Sequence, residues 1–231
     1  MTNFCLVDDY LDILVEVGRW KIIPMKSLYE LKTPSQSYQM FCKKVRKLEE
    51  EGLLKSILGS NKRKFLSLTM KGLKFSPFGK NFDQAEDSLN HDLISTNIVT
   101  TLINYKSFNS GQVCCYQDRV DVEPDGLIYG SKNGVDYSLA IEVELTQKSK
   151  IRIVEKFNKY VSSDDFSYVL YVMNKESAFR TYRKVLEGLN ENVSKKIILM
   201  LDVSLNPMNF NYIDSKCVFQ NKEKAFLEIF G

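Results

Sequence analysis

Two short stretches of sequence decide how the second half of this chain is interpreted: Val122-Glu123-Pro124-Asp125-Gly126 and Ala140-Ile141-Glu142-Val143-Glu144-Leu145. Asp125 follows a proline at the start of one predicted strand, and Glu142 and Glu144 lie two residues apart on the next. Because residues i and i+2 of a strand share a face, the two glutamates project together from a strand that is otherwise apolar. A return of the chain through the turn at 130–134 can place Asp125 beside them.

This cluster of carboxylates has a chemical implication. Carboxylates among apolar neighbours are costly unless they are paired or bind cations, and clusters with oxygen ligands alone suit Mg²⁺ or Mn²⁺. Asp125, Glu142 and Glu144 are therefore candidate ligands of a divalent metal ion. The alternative is that the two glutamates are solubility charges of an edge strand and that Pro124-Asp125-Gly126 is only a turn.

The elements around these acids alternate between strands and helices. Apolar periodicity and turn residues predict the order helix, three strands, helix, strand, helix, strand, with a helix near the end. This order is typical of an α/β domain with a central mixed sheet. The predicted helices are 87–105, 148–162, 176–189 and 222–229, and the predicted strands are 112–117, 125–129, 137–145, 167–173 and 196–203.

The first eighty residues differ from the remainder in charge. They carry 15 Lys/Arg and 8 Asp/Glu, whereas the remainder carries 17 and 21, which favours a basic binding module joined to a second domain. We place the domains at 1–75 and 87–231, with a linker at 76–86. In the first domain, helices are predicted at 8–18, 25–31 and 34–51, and a β-hairpin at 54–58 and 64–68.

Three helices followed by a basic hairpin resemble the winged helix-turn-helix family. Glu51-Gly52-Leu53-Leu54 and Leu68-Thr69-Met70-Lys71-Gly72, on either side of the hairpin, are similar to that family's usual ending. The resemblance implies that the third helix enters the major groove of duplex DNA and that the hairpin tip lies along the backbone. The alternative is a winged helix that contacts proteins and carries a solvated basic face. The candidate DNA contacts are Gln36, Gln39, Lys43, Lys44, Arg46 and Lys47 on the helix, and Lys62, Arg63 and Lys64 at the tip.

The two acidic stretches together resemble the active-site signature of the PD-(D/E)xK nuclease superfamily. The resemblance implies a restriction-endonuclease-like domain in which Asp125 and Glu142 bind the metal. Glu144 stands where the superfamily usually has a lysine that activates or positions water, although some of its restriction enzymes also carry glutamate there. A lysine of the following helix can supply the missing function, and an upstream helical residue is also common in such sites. The candidates are Lys148, Lys150 and Lys156 for the lysine, and His91 for the upstream residue.

The larger pattern resembles the replication-relaxation family, which includes the MobC-type relaxases of mobilisable plasmids. After the winged helix come His91-Asp92-Leu93, the two acidic stretches, a lysine-rich helix and Tyr168-Val169-Leu170-Tyr171-Val172, so that the resemblance spans about residues 5–203. It implies nicking, or preparation for nicking, of duplex DNA at a plasmid transfer or replication origin. The partners expected from it are a second copy of the chain or relaxosome-type proteins.

Two functions from different classes stay open on this evidence. The first is a Mg²⁺- or Mn²⁺-dependent DNA nickase or endonuclease, which the presence of Asp125 and Glu142 favours. The second is a non-catalytic replication or mobilisation accessory, or a transcriptional regulator, with a degenerate nuclease fold, which Glu144 at the lysine position favours. Tyr116 and Tyr160 are alternative nucleophiles, but a lone tyrosine is more often structural.

Composition excludes several other classes. No apolar stretch approaches the roughly 20 residues of a membrane span, and the N-terminus lacks the basic and apolar regions of a signal peptide. The five cysteines are scattered and the chain has a single histidine, so a structural zinc site is not expected. We expect a bacterial cytoplasmic protein with reduced cysteines and no membrane partner.

Overall fold

A computed structural model describes residues 6, 8–32, 37–59, 62–78, 86–113 and 122–231. The described residues fall into two compact units, one that contains those up to Phe78 and one that contains those from Glu86 onward. None of the described helices has the length and apolar character needed to cross a membrane. Cys42 and Cys217 are free thiols, and the other three cysteines lie outside the described residues.

The first unit consists of three helices and a small antiparallel sheet. Its sheet has the strand order β1-β3-β2, in which Ile23 pairs with Leu66 and Leu54 pairs with Leu68. The first two helices and the hairpin lie close to their predicted positions, the third helix begins four residues later than predicted, and the short strand β1 was not predicted. The elements are α1 (Asp8–Trp20), β1 (Ile23–Pro24), α2 (Met25–Leu31), α3 (Tyr38–Glu50), β2 (Leu54–Leu58), β3 (Lys64–Leu68) and a 3-10 helix at Gly72–Phe75.

The end of α3 and the end of the hairpin are joined by local bonds. Gly52 takes a φ of 68°, and its N–H donates to the Glu49 carbonyl at 2.9 Å, as in a helix end closed by a left-handed glycine. Thr69 donates its hydroxyl to the Gly52 carbonyl at 2.6 Å and accepts the Gly72 N–H at 3.1 Å. A Cβ on Gly72 would lie 2.0 Å from the Leu53 carbonyl oxygen. The sequence pattern on either side of the hairpin therefore has a direct structural cause.

Residues 76–78 pack within the first unit. Phe78 is buried, the Arg19 guanidinium lies 5.8 Å from the centre of its ring, and Ser76 lies against Gly18. The unit thus extends past residue 75, where we placed the boundary of the first domain. The rest of the expected linker, 79–85, lies outside the described residues.

The second unit is a seven-stranded mixed sheet with helices on both faces. The strand order is β10-β9-β8-β7-β6-β5-β4, in which β6, β7 and β8 are parallel and every other neighbouring pair is antiparallel. The predicted α/β class with a central mixed sheet is confirmed. The elements are α4 (Glu86–Leu102), β4 (Phe108–Gln112), β5 (Gly126–Lys132), β6 (Val135–Glu144), α5 (Lys150–Ser162), β7 (Tyr168–Met173), α6 (Glu176–Glu187), α7 (Glu191–Lys196), β8 (Ile197–Leu201), β9 (Lys216–Phe219), β10 (Lys222–Lys224) and α8 (Phe226–Phe230).

Local sequence explains the centre of this sheet. β7 and β8 are almost entirely buried, as expected for parallel strands covered on both faces. β5 and β6 form a hairpin closed by Asn133 and Gly134, which have φ of 54° and 77°, the signature of a two-residue turn that matches the strand twist.

Three predicted bounds differ from those of the structure. Of the strand expected at 112–117 the structure describes only 112 and 113, and it has a strand at Phe108–Gln112, where pairing with β5 overrides the weak strand propensity of Phe-Asn-Ser-Gly-Gln. The last helix starts at Phe226, because Lys222–Lys224 returns along β9 after Gln220 and Asn221, both with positive φ. The third helix starts at Tyr38 after the Ser37 cap, and residues 33–36 are not described.

The two faces of β6 meet different helices. Gly126 and Ile141 are opposite each other on β5 and β6, and a Cβ on Gly126 would lie 2.6 Å from Val99 of α4. Ile141 therefore faces α4. Glu142 and Glu144, which alternate with it, face α5 and α6.

Candidate carboxylate site and nucleic-acid interface

Glu142 and Glu144 are buried side chains at the end of β6. Their exposed fractions are 1% and 4%, so they are not the solvated edge-strand charges of the alternative interpretation. β6 is an interior strand between β5 and β7. The cost of burying these carboxylates must be met by neighbours inside the fold.

Glu142 receives two donors from α5. The Lys156 ammonium donates to its Oε2, and the Tyr160 hydroxyl donates to its Oε1. The two donors lie four residues apart and so occupy one side of the helix. Burial, with the neighbouring Asp125 carboxylate, still raises the pKa of Glu142 to about 8. Burial by itself would lower the pKa of Lys156, but the Glu142 carboxylate holds it above the usual value.

Asp125 immediately precedes β5, at the point where the chain enters the sheet. The pairing of β5 with β6 begins at Gly126 and Ile141, so beyond Ile141 none of the described strands pairs with β6 on this side. The Val143 N–H donates to Asp125 Oδ2 at 2.7 Å. His91 Nε2 lies 3.1 Å from the Val143 carbonyl and 3.3 Å from Asp125 Oδ2. Asp125 and His91 thus satisfy backbone groups that a longer β5 would have bonded.

The charges of this pair support each other. The hydrogen bond to Asp125 is the main cause that raises the pKa of His91 to about 9. Burial alone would raise the pKa of Asp125, but the His91 contact and the Val143 N–H lower it below its usual value. Asp125 is therefore held as an anion and His91 as a cation near neutral pH.

Glu144 belongs to a different part of the site. Burial raises its pKa, and the opposing influences are the charge of Lys156 and a hydrogen bond with the Tyr182 hydroxyl of α6. The residue at the position of the usual lysine therefore packs against α6 rather than between Asp125 and Glu142.

Of the three candidate lysines, Lys156 is the one that reaches the acids. Lys148 is exposed and its ammonium lies 3.3 Å from Thr146 Oγ1, although its charge lowers the pKa of Glu144. Lys150 is exposed at the first position of α5.

Three tyrosines around Glu142 and Glu144 were missed as site residues. Tyr160 was considered only as a nucleophile, and its hydroxyl is instead a donor to Glu142. Tyr171 lies opposite Glu142 on β7, and its buried hydroxyl has no hydrogen-bond partner within the described part of the chain. Only the spacing of Lys156 and Tyr160 was visible in the sequence, because Tyr171 and Tyr182 meet the acids through the strand register and helix packing. Tyr116 lies outside the described residues.

The carboxylate oxygens of the site can be compared with the ligands that a divalent metal ion requires. In the described ranges, no three His, Cys, Asp or Glu side chains converge on a common point that could hold a metal. Mg²⁺, however, is usually held by one or two carboxylates together with water and substrate phosphates. Glu142 on β6 and Asp125, immediately before the adjacent strand β5, supply two carboxylates, and Asp125 Oδ1 has no hydrogen bond among the described residues. These oxygen donors fit Mg²⁺ or Mn²⁺.

The predicted DNA-contacting side chains of the first unit divide into two groups. Gln39, Lys43 and Arg46 are exposed on one side of α3, at positions i, i+4 and i+7. Lys62 and Arg63 are exposed beside the hairpin tip, while Gln36 lies outside the described residues. These exposed side chains are placed where a partner can reach them.

The other three predicted contacts are engaged by acids of the same unit. Lys44 binds Asp9, Lys47 lies 2.8 Å from Glu51, and Lys64 lies 2.6 Å from Glu49. Their charges are partly neutralised by these ion pairs, so they are weaker candidates for phosphate binding than Lys43 and Arg46.

Comparisons with known proteins add little to this geometry. No protein-family model matches the chain, and no curated protein matches it. The structure of restriction endonuclease FokI bound to DNA is similar at 12% identity and a TM-score of 0.31, over 89% of this chain and 45% of that one. A second structure of restriction endonuclease FokI gives 11% identity and a TM-score of 0.26, over 84% and 45%. The chain spans less than half the length of these structures.

Fold and site together define the class. This is an α/β protein in which two neighbouring carboxylates, one bound by a lysine and the other by a histidine, lie at the open end of a β-hairpin of the mixed sheet. A separate basic helical unit precedes it in the chain.

Proposed function

We propose that the chain binds duplex DNA and hydrolyses a phosphodiester bond in one strand with Mg²⁺ or Mn²⁺. The observation that carries this proposal is the pairing of Asp125 and Glu142 at the end of the β5–β6 hairpin, with Lys156 on Glu142. Neighbouring acids, an ammonium group and an anion held ionised are the groups that phosphoryl chemistry needs.

Each residue has a distinct role in this proposal. Asp125 is fixed through Oδ2 by the Val143 N–H, which leaves Oδ1 to bind a cation. Tyr160 orients Glu142 through Oε1, so that Oε2 can exchange its bond to Lys156 for one to the cation. When bound, Mg²⁺ or Mn²⁺ supplies Lewis-acid activation of the phosphate and a lower pKa for a water molecule.

Lys156 acts as a cation rather than as a base. Its pKa is held above the usual value by Glu142, so the ammonium stays protonated at neutral pH. A protonated lysine stabilises the negative charge that develops on the phosphate. Lys156 would thus replace the lysine that is absent from position 144.

DNA is assigned to the first unit on charge and exposure. As a winged helix, this unit would place Gln39, Lys43 and Arg46 of α3 in the major groove, and Lys62 and Arg63 on the backbone. The narrower assignment, a relaxase-like nickase at a plasmid transfer or replication origin that works with a second copy or relaxosome proteins, rests on the sequence resemblance alone.

The test is cleavage of supercoiled plasmid that carries the native locus, with Mg²⁺ or Mn²⁺. Wild type should convert the plasmid to open circles, and Asp125→Ala and Glu142→Ala should each slow this by at least ~100-fold, because each removes a carboxylate that holds the ion. Glu155→Ala is the matched control, since Glu155 is an exposed acid of α5 outside the site. Equal nicking by all four proteins would contradict the proposal.

A second function is favoured because both acids already have hydrogen-bond partners within the protein when no metal ion is bound. Asp125 and His91 satisfy Val143, and Lys156 and Tyr160 satisfy Glu142, so the acids can serve as structure alone. In that case the chain is a non-catalytic DNA-binding protein with a degenerate nuclease fold. Calorimetry separates the two functions: retained DNA binding with no Mg²⁺ or Mn²⁺ heat, in wild type and Asp125→Ala alike, supports the second.

A further inference from the structure

One side of α5 carries positive charge that no described side chain neutralises through an ion pair. Arg152 and Lys159 are exposed and lie on the same side of the helix as Lys156, at i, i+7 and i+4. Lys148 is exposed just before the Ser149 cap. Across the described ranges, none of Lys148, Arg152 and Lys159 has an ion-pair partner. We call these three residues the basic face of α5.

On the neighbouring helix α6 both arginines pair with acids, whereas the exposed Lys184 has no ion-pair partner among the described residues. Arg180 pairs with Glu176 at 3.1 Å, and Arg183 pairs with Glu187 at 2.9 Å and with Glu223 at 2.5 Å. The first two pairs span one helical turn, which is the ordinary way to neutralise a surface helix. The segment from Lys148 through the first ten residues of α5 instead carries one acid, Glu155, among five basic residues.

The basic face also borders the carboxylate site. Lys156, on the same side of α5, donates to Glu142, and the charge of Lys148 acts on Glu144. With a rise of 1.5 Å per residue, Arg152 and Lys159 are about 10 Å apart along the helix. A surface of this length extends past more than one phosphate, because the phosphates of one strand follow each other every 3.4 Å along the DNA axis.

We infer that the basic face of α5 binds the sugar-phosphate backbone of DNA beside the carboxylate site. This inference rests on the proposed function, since the strand held by α5 is the one presented to Asp125 and Glu142. It adds a second phosphate contact to those of the first unit, and it places that contact next to the reacting acids. A duplex held there owes this part of its affinity to charge alone, so the contact has no sequence preference.

The experiment measures duplex DNA affinity of the full chain by fluorescence anisotropy, in EDTA, over a range of NaCl concentrations. The variant Lys148→Gln/Arg152→Gln/Lys159→Gln removes the basic face. The control Lys106→Gln/Lys216→Gln/Lys222→Gln removes three exposed lysines outside α5 and changes the net charge equally. A charge-conserving variant, Lys148→Arg/Arg152→Lys/Lys159→Arg, tests whether charge alone matters, and circular dichroism verifies that each variant is folded.

The expected result is a change in salt dependence. Each lost phosphate contact lowers the slope of log affinity against log salt by about 0.9, so the α5 variant should lose about 2 to 3 from it. The control and the charge-conserving variant should keep the wild-type slope.

Contrary outcomes separate this inference from the proposed function. A wild-type slope and affinity in the α5 variant, together with weaker binding by Lys43→Ala/Arg46→Ala, reject α5 as a contact and leave DNA binding by the first unit standing. An equal loss in the lysine control also rejects it, because the effect would then be net charge. A wild type that binds no duplex rejects both.

Discussion

The two carboxylates at the end of the β5–β6 hairpin are held in opposite ways. Asp125 is bonded to the backbone of β6 and to His91, and its pKa is lowered. Glu142 is enclosed by side chains of α5 on the interior of the sheet, and burial raises its pKa to about 8. The fold thus stabilises one anion and leaves the other short of positive charge. A cation added between them would gain most from Glu142. We therefore expect substitutions around Glu142 to change the stability of the fold more than substitutions around Asp125.

The largest change in stability is expected when Lys156, the charged partner of Glu142, is removed. Lys156→Met leaves the buried Glu142 with one donor, Tyr160. Removal of one partner of a buried ion pair destabilises by about 3–5 kcal/mol, and the lower end is expected here because Lys156 is partly exposed. Urea unfolding at pH 9, above the pKa of Glu142 in the folded protein and without divalent ions, measures the loss.

The double variant Lys156→Met/Glu142→Gln is the control for that prediction. It removes both charges, so most of the stability should return. Lys148→Met, which removes an exposed lysine of the neighbouring loop, should change little. If the double variant is as unstable as the single one, Lys156 stabilises through packing and not through the charge of Glu142.

A change in stability of intermediate size is expected from the His91–Asp125 pair, and it depends on pH. The pKa of His91 is about 9 in the folded protein and 6.5 in a free side chain. A pKa raised by folding stabilises fully below the unfolded value and loses its contribution as pH rises through the folded value. The free energy of unfolding that His91 contributes should therefore decline between pH 6.5 and 9. His91→Gln keeps a neutral donor and removes this titration.

The measurement is the difference in urea stability between wild type and His91→Gln at several pH values. The difference should be greatest at or below pH 6.5 and should shrink toward pH 9. Below about pH 4 it should shrink again, since the lowered pKa of Asp125 makes its contribution disappear as that carboxylate is protonated. A difference that does not vary with pH would mean that no charged pair forms between His91 and Asp125.

Local signals allowed much of this arrangement to be predicted. Asn133-Gly134 specifies its hairpin turn, and period-two alternation places Glu142 and Glu144 on one face. Lys156 was one of three candidates because helix spacing alone does not say which lysine faces inward. The contact of His91 with Val143 joins residues 52 apart in sequence, and Tyr171 meets Glu142 only through the β6–β7 register. Such contacts follow from tertiary packing, which no local pattern specifies.

The smallest effect separates two tyrosines that flank the same carboxylate. Tyr160 donates to Glu142, whereas the buried Tyr171 hydroxyl has no partner among the described residues. Tyr160→Phe should cost about 1–2 kcal/mol, because it leaves a buried carboxyl oxygen without its donor. Tyr171→Phe should be neutral or slightly stabilising, since it removes a desolvated hydroxyl at no loss of a bond. The two substitutions delete the same atom from neighbouring rings, so thermal unfolding of the pair isolates the hydrogen bond. Equal destabilisation would mean that an internal water links Tyr171 to Glu142, and that the interior carboxylate is better compensated than the contrast with Asp125 implies.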